Sequence, residues 1–353
     1  MIPPATTKAA EKEHHEGGID AALRPKHWDE YIGQPHVKKN LKILLDAAKK
    51  RSEPGEHILF SGPAGLGKTS LAHLVAREMN TNIRVTSGPA IERVGDLASI
   101  LTNLMPNDIL FIDEIHRMNK LIEEVLYPAM ESRTLDIIVG KGPSARTIQL
   151  ELPPFMLVAA TTRPGLLSGP LRSRFGASFR LDFYTGEDIQ KIILRSAALL
   201  DVIVEPAAVV RLAAAARFTP RVANRLLKRA RDYADVHPDM ADGRISNETP
   251  IKSIITDHIA KAALALMEID EQGLDPMDRN ILEIIITKFN GGPVGIQSIA
   301  AAASEDTDTL EEVYEPYLMQ LGLLERTSRG RVATERAYSH LGIATQQQQT
   351  LLT

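Results

Sequence analysis

Apolar residues fall into two textures along this chain, and the change between them comes near Tyr184. Before it, short unbroken apolar runs alternate with stretches of helical spacing. Residues 57–60, 108–114 and 155–160 read as strands buried on both faces, with 82–86 as a further candidate strand. Between them, residues 37–50, 70–79, 96–104 and 115–130 carry apolar positions at helical spacing. That alternation predicts an α/β core with a parallel sheet. One stretch breaks the pattern: residues 135–152 hold two alternating β-type runs around Gly140-Lys141-Gly142-Pro143, which reads as a hairpin. Its apolar positions either cover the domain or dock a partner.

After Tyr184 the predicted elements are short helices rich in alanine and leucine, at 187–200, 206–217 and 220–235, with a further one at 254–269. These suggest a small all-α lid. The segment 237–250 is polar and turn-rich, and 270–276 resembles a linker. Beyond it come a helix at 280–289, a helix-turn-helix at 296–303 and 309–321, and a basic hairpin at 323–333, together a winged helix. The domain reading is an N-terminal arm at 1–20, a large α/β domain at 21–185 containing the hairpin 135–152, a lid at 186–270 and a winged-helix domain at 271–353.

Composition narrows the class only modestly. The 353 residues suit two or three domains of roughly 150 residues each. No cysteine is present, which excludes disulfides and thiolate chemistry. No apolar run reaches the ~18–20 residues that span a bilayer, and the arm lacks a signal peptide's apolar centre, so a cytoplasmic, membrane-free protein is expected. A net charge of −4 argues against general attraction to nucleic acid, and any such contact must come from a local patch.

The candidate chemistry begins at residues 62–69, Gly-Pro-Ala-Gly-Leu-Gly-Lys-Thr, a P-loop between a predicted strand and helix. Gly62, Gly65 and Gly67 let successive N–H groups converge on phosphate oxygens. The Lys68 ammonium would sit on the β- and γ-phosphates of ATP, and the Thr69 hydroxyl would ligate Mg²⁺. The strand at 108–114 ends in Asp113-Glu114, expected to hold the metal and to polarise the attacking water respectively, although acids also cap helices. Thr161 and Thr162, ending the strand at 155–160, are candidate γ-phosphate sensors. Arg172 and Arg174 share a loop with no acid nearby in sequence, which suggests an anion partner. In the winged helix the usual base-reading helix is acidic, with Glu311, Glu312 and Glu315, whereas the wing carries Arg326, Arg329 and Arg331. Backbone contact with duplex DNA through the wing is therefore expected; the bland alternative is a protein-docking winged helix.

Several ordered stretches resemble the RuvB family of hexameric AAA+ motors for Holliday-junction branch migration. They include Leu-Arg-Pro-Lys and Tyr-Ile-Gly-Gln near the start, the P-loop, Phe-Ile-Asp-Glu-Ile-His-Arg, Gly-Lys-Gly-Pro-Ser-Ala-Arg and Ala-Thr-Thr-Arg-Pro-Gly. Further on come Pro-Leu-Arg-Ser-Arg-Phe-Gly, Thr-Pro-Arg-Val-Ala-Asn-Arg-Leu-Leu, Lys-Phe-Asn-Gly-Gly-Pro-Val-Gly and Arg-Thr-Ser-Arg-Gly-Arg. The likeness spans roughly 23–342 and implies an α/β P-loop (AAA+) core, a small all-α lid and a winged-helix domain. It implies a nucleotide site of Leu23, Arg24, Gly62, Gly65, Leu66, Gly67, Lys68, Thr69 and Ser70, joined by Tyr184 and the lid arginine Arg221. Arg174 would be a finger reaching a neighbouring subunit's ATP. The hairpin 135–152 would dock a RuvA-type junction-binding protein, with a resolvase as a further partner. Arg326 and Arg331 would be the favoured DNA contacts, with Arg329 at the turn contributing less. Ala64 stands where the family usually has a second proline, and Ser132-Arg133 replaces a commonly acidic-aromatic pair. The segment 237–256 is longer than usual. The implied function is an ATP-driven motor pulling duplex DNA through a ring in recombination and repair. The rival is a non-motor AAA+ switch or clamp-loader-like protein.

Overall fold

A computed structural model describes residues 21–139, 146–237 and 253–344. The chain divides into two compact units, Met1–Phe183 and Tyr184–Thr353.

In the first unit the strands are β1 (Ile58–Ser61), β2 (Ile83–Ser87), β3 (Ile109–Asp113), β4 (Thr134–Val139), β5 (Arg146–Glu151), β6 (Met156–Thr161) and β7 (Ala177–Arg180). Five of them form a sheet in the order β2-β3-β6-β1-β7, and every pairing in it is parallel. The central strands β3 and β6 are buried almost throughout, as their continuous apolar runs predict. Leu110 and Ile112 of β3 and Leu157 and Ala159 of β6 pack in one cluster with Leu97 and Leu101 of helix Val94–Thr102 and with Ile122 and Leu126 of helix Lys120–Glu131. Helix Lys68–Met79 buries Leu71, Leu74 and Val75 to 1% exposure or less. At ~1.5–3 kcal/mol per fully buried large side chain, this face anchors the helix and hence the loop at its N-terminus.

One predicted helix is divided, one strand is added, and the predicted hairpin forms. The stretch after β3 is not one helix: a 3-10 turn, Ile115–Arg117, precedes helix Lys120–Glu131, and the Asn119 side chain caps the latter by accepting the Leu121 N–H. Strand β7 pairs with β1 and has no counterpart among the predicted strands. Strands β4 and β5 do form an antiparallel hairpin, Thr134 opposite Glu151 through Val139 opposite Arg146, and residues 140–145 at its tip lie outside the described residues.

The second unit contains the helices Gly186–Leu199, Pro206–Ala214, Pro220–Val236 and Asp257–Leu266, with one short parallel pair of β8 (Ile203–Val204) and β9 (Ile254–Ile255). The winged helix follows, with helices Pro276–Lys288 and Ile296–Ala303, a helical run at 307–320 that contains a π-turn at Leu310–Tyr314, and the wing β10 (Leu324–Thr327) and β11 (Gly330–Ala333). Leu282, Ile285, Ile299, Leu310, Leu318 and Leu324 are among its core side chains. The arm 1–20 and most of the polar segment at 237–256 lie outside the described residues.

Candidate active site

The P-loop joins the end of β1 to helix Lys68–Met79, so the helix N-terminus opens onto the loop. Gly62, Gly65 and Gly67 all have positive φ. At Gly67 (φ +96°) there is a second constraint: a Cβ would lie 2.9 Å from the Tyr31 hydroxyl, which itself donates to the Leu66 carbonyl at 3.3 Å. Leu66 is buried beneath the loop, while Ser70 is partly exposed one residue beyond Thr69. The Lys68 side chain is 6% exposed, and its ammonium donates to the Gly62 and Pro63 carbonyls at 2.7 and 2.9 Å. Leu23 is buried, and the Arg24 charge acts on His73 of the same helix. There burial first, then Arg24 and Arg77, hold the imidazole below its usual pKa.

Sequence-distant groups converge beside the loop. Thr69 donates to Asp113 Oδ2 at 3.3 Å, which joins the P-loop helix to the end of β3. Glu114 follows with φ +47°, a left-handed conformation costly for a residue with a Cβ. Its carboxylate accepts from the Thr162 hydroxyl at 3.1 Å, and His116 Nδ1 lies 3.2 Å from the same oxygen. His116 Nδ1 is also 2.9 Å from Thr161 Oγ1. Thr161 is fully buried and accepts the Arg163 N–H at 3.0 Å, so the two threonines are not equivalent. Thr162 touches Glu114 directly, whereas Thr161 reaches it through His116. The histidine was not among the expected site residues. A His two positions after the acid carries no signal until the 3-10 turn folds its ring back, leaving its side chain 3% exposed.

This donor set fits a nucleotide with a divalent metal. Among the described residues no group of three or more His, Cys, Asp or Glu side chains could cage a metal. One carboxylate and one hydroxyl, completed by phosphate oxygens, is the ordinary arrangement for a phosphate-bound Mg²⁺.

The expected arginine loop is a short helix, Gly169–Ser173, with Arg174 as its C-cap, and an acid does stand beside it. Glu131, at the C-terminal end of helix Lys120–Glu131, lies 3.1 Å from Arg174 Nη2. The guanidinium also donates to the Pro170 carbonyl at 2.7 Å and sits 4.5 Å from the Tyr127 ring centroid. The Tyr127 hydroxyl donates to Glu123 at 2.7 Å. Arg172 is exposed. A cavity of about 250 Å³ lies alongside, lined by His57, Glu131, Arg133, Phe155 and Arg174 among others.

In the second unit, Tyr184 is buried and donates its N–H to the Phe218 carbonyl at 3.0 Å. Arg221 is exposed in the first turn of helix Pro220–Val236.

The wing also requires a correction. Arg326 and Arg331 stand directly opposite each other across the hairpin, yet only Arg326 is exposed. Arg331 is 7% exposed, with Nε 2.5 Å and Nη2 3.1 Å from the Glu315 carboxylate and Nη2 3.0 Å from Glu311. The acidic helix and the basic wing therefore meet inside the domain, and Arg331 is withdrawn from the surface that would face a duplex. Arg326 lies 3.7 Å from Glu311 with its side chain 56% exposed, and Arg329 is exposed at the turn.

A parallel sheet with a P-loop after β1 and an Asp-Glu pair ending its neighbour-but-one strand, followed by a helical lid and a winged helix, defines a P-loop ATPase of the AAA+ class. Three domain profiles match the chain consecutively: the Holliday junction DNA helicase RuvB P-loop domain over residues 23–181, the RuvB AAA lid domain over 184–270 and the RuvB C-terminal winged helix domain over 271–342. The chain belongs to the RuvB family. Its similarity to solved structures agrees. The Thermotoga maritima RuvB Holliday junction branch migration motor is 48% identical with a TM-score of 0.81, covering 92% of this chain and 99% of that one. A lysine-to-arginine mutant of Thermotoga maritima RuvB is 49% identical with a TM-score of 0.82 over the same shares. ATP hydrolysis, with nucleotide bound alongside a divalent metal, follows from family membership.

Proposed function

We propose that this chain is an ATP-driven motor that moves duplex DNA at four-way junctions, working as a homo-hexameric ring in the cytoplasm. The observation that carries the reading is the convergence of Thr69, Asp113, Glu114 and Thr162 in a chain whose three consecutive domains are all of the RuvB family. Lys68 and the loop N–H groups bind the phosphates. Thr69 and Asp113 hold Mg²⁺, which when bound neutralises phosphate charge. Glu114 orients the attacking water and takes its proton, while Thr162 holds the carboxylate and senses the γ-phosphate. Arg24, Tyr184 and Arg221 complete the nucleotide contacts, and Arg174 acts on the ATP of a neighbouring subunit. The β4–β5 hairpin docks a RuvA-type partner; residues 146–149 of β5 are all exposed, Ile148 at 47%, which suits a strand awaiting a cover.

Duplex DNA is expected to stimulate steady-state ATP turnover. A chain that hydrolyses ATP at one rate regardless of DNA would favour the non-motor switch.

The corrected wing gives a sharper test. Arg326→Ala plus Arg329→Ala is expected to lower the slope of log affinity against log salt by about 0.9 for each phosphate left without its arginine, equally on unrelated duplexes. Arg331→Ala is instead expected to destabilise the domain by roughly 3–5 kcal/mol, because it leaves the 4%-exposed Glu315 buried without its partner. Salt titrations and thermal unfolding of the same variants separate the two roles. An unchanged slope in the Arg326/Arg329 pair would move DNA contact off the wing.

A further inference from the structure

The lid contains a turn that its sequence does not favour. Arg217 and Phe218 are consecutive, neither is glycine, and their φ values are +52° and +54°. Side chains make the left-handed region costly, and such a pair persists only where its surroundings over-determine it. Those surroundings reach in two directions.

Toward one side lie the residues read as nucleotide contacts. The Phe218 carbonyl accepts the Tyr184 N–H at 3.0 Å. Thr219, the next residue, caps helix Pro220–Val236 by accepting the Val222 N–H at 3.4 Å, and Arg221 sits in that first turn.

Toward the other side lies the winged-helix domain. The Arg217 residue is only 9% exposed, and its Nε donates to the Gly273 carbonyl at 3.2 Å. Its Nη2 donates to Asp275 Oδ2 at 2.8 Å and to Asp278. Those two carboxylates form the capping box of helix Pro276–Lys288, the first of the winged helix. The guanidinium also lies 5.0 Å from the centroid of the Tyr317 ring, whose centroid is 6.1 Å from that of Phe218. The linker closes tightly here: a Cβ at Gly273 (φ +79°) would meet the Ala215 carbonyl at 2.7 Å. Asp278 is completely buried, and burial pushes its carboxyl up to about 7 against the opposing pull of Arg217. A carboxylate in that position depends on its guanidinium.

We propose that Arg217 is a positioning residue that couples the nucleotide site to the DNA-binding domain. It grips the capping carboxylates of the winged helix from the same turn that hydrogen-bonds Tyr184 and launches the helix bearing Arg221. A shift of Tyr184 and Arg221 with nucleotide is transmitted through this turn to Asp275, Asp278 and Tyr317, and a shift of the winged helix on DNA is transmitted back. The inference rests on the reading of Tyr184 and Arg221 as nucleotide contacts.

The test uses the full chain and measures duplex Kd with and without a non-hydrolysable ATP analogue. Coupling between two sites is reciprocal and typically amounts to about 5–150-fold in affinity. The wild type is expected to show a ratio in that range. Arg217→Met and Asp278→Asn are expected to bring the ratio to within about twofold of one, while affinity for the analogue alone and for DNA alone each change by no more than about threefold. Arg217→Lys, which keeps the charge but not the fork of donors, should retain part of the ratio. Should Arg217→Met fail to fold, Asp278→Asn carries the test, since it keeps the buried volume and a hydrogen-bonding group. Variants that keep the wild-type ratio would overturn the proposal, as would variants that lose both affinities in proportion while the ratio stands. A wild type that binds analogue and DNA independently would also overturn it. A wild type that binds no analogue would contradict the nucleotide reading beneath it.

Discussion

Glu114→Gln is expected to bind ATP and assemble as the wild type does, while turnover falls by roughly 10²–10⁴-fold. The substitution is nearly isosteric and leaves Asp113 and Thr69 intact. The amide can still accept from the Thr162 hydroxyl 3.1 Å away in the wild type, so the local geometry survives. In the proposed mechanism, what disappears is a base for the proton of the attacking water. The left-handed backbone at Glu114 fits that role, since the carboxylate is held between Thr162 and His116. Single-turnover hydrolysis alongside equilibrium nucleotide binding separates chemistry from affinity. Near-normal turnover would remove Glu114 from the mechanism.

Arg174 is expected to act in trans, with a loss of about 10³–10⁵ in rate on removal, the usual contribution of an arginine finger. Its ion pair with Glu131 does not oppose that role by much. The Glu131 side chain is 57% exposed and that of Arg174 21%, and a hydrogen bond to a charged group is worth about 1.5–3 kcal/mol. A finger's rate contribution corresponds to about 4–7 kcal/mol of transition-state stabilisation, at ~1.4 kcal/mol per tenfold. In the proposed role the transition-state charge would therefore win the guanidinium from its contacts with Glu131 and the Tyr127 ring. Mixed rings of Arg174→Ala and Lys68→Ala subunits are expected to regain activity, because some interfaces pair an intact finger with an intact P-loop. No recovery in rings verified to be mixed would contradict an interface role.

The parts of the fold that were legible in the sequence are those set by burial along a single element. Strands β1, β3 and β6 announced themselves because central parallel strands bury both faces, and the P-loop because its glycines and lysine are consecutive. Strand β7 did not, since its burial alternates at the sheet edge and never forms a continuous apolar run. Site features built from distant segments were equally hidden. Glu131 meets Arg174 only because the end of helix Lys120–Glu131 lies beside Arg174, the C-cap of the short helix Gly169–Ser173. The wing shows the same limit more clearly. Read in order, Glu311 and Glu315 repel DNA and Arg331 attracts it; folded, they neutralise one another, and only Arg326 and Arg329 remain outward. A linear charge pattern reports which residues are ionised, not which ones the fold has already paired.

A motor of the proposed kind uses ATP hydrolysis to move DNA. Its most direct test follows arm exchange in a synthetic mobile four-way junction in real time, with a RuvA-type junction-binding protein present. Strand separation is expected with ATP, none with a non-hydrolysable analogue, and none with Glu114→Gln despite retained DNA binding. ATP turnover stimulated by the junction without any movement of its arms would contradict the motor and support an ATP switch in its place.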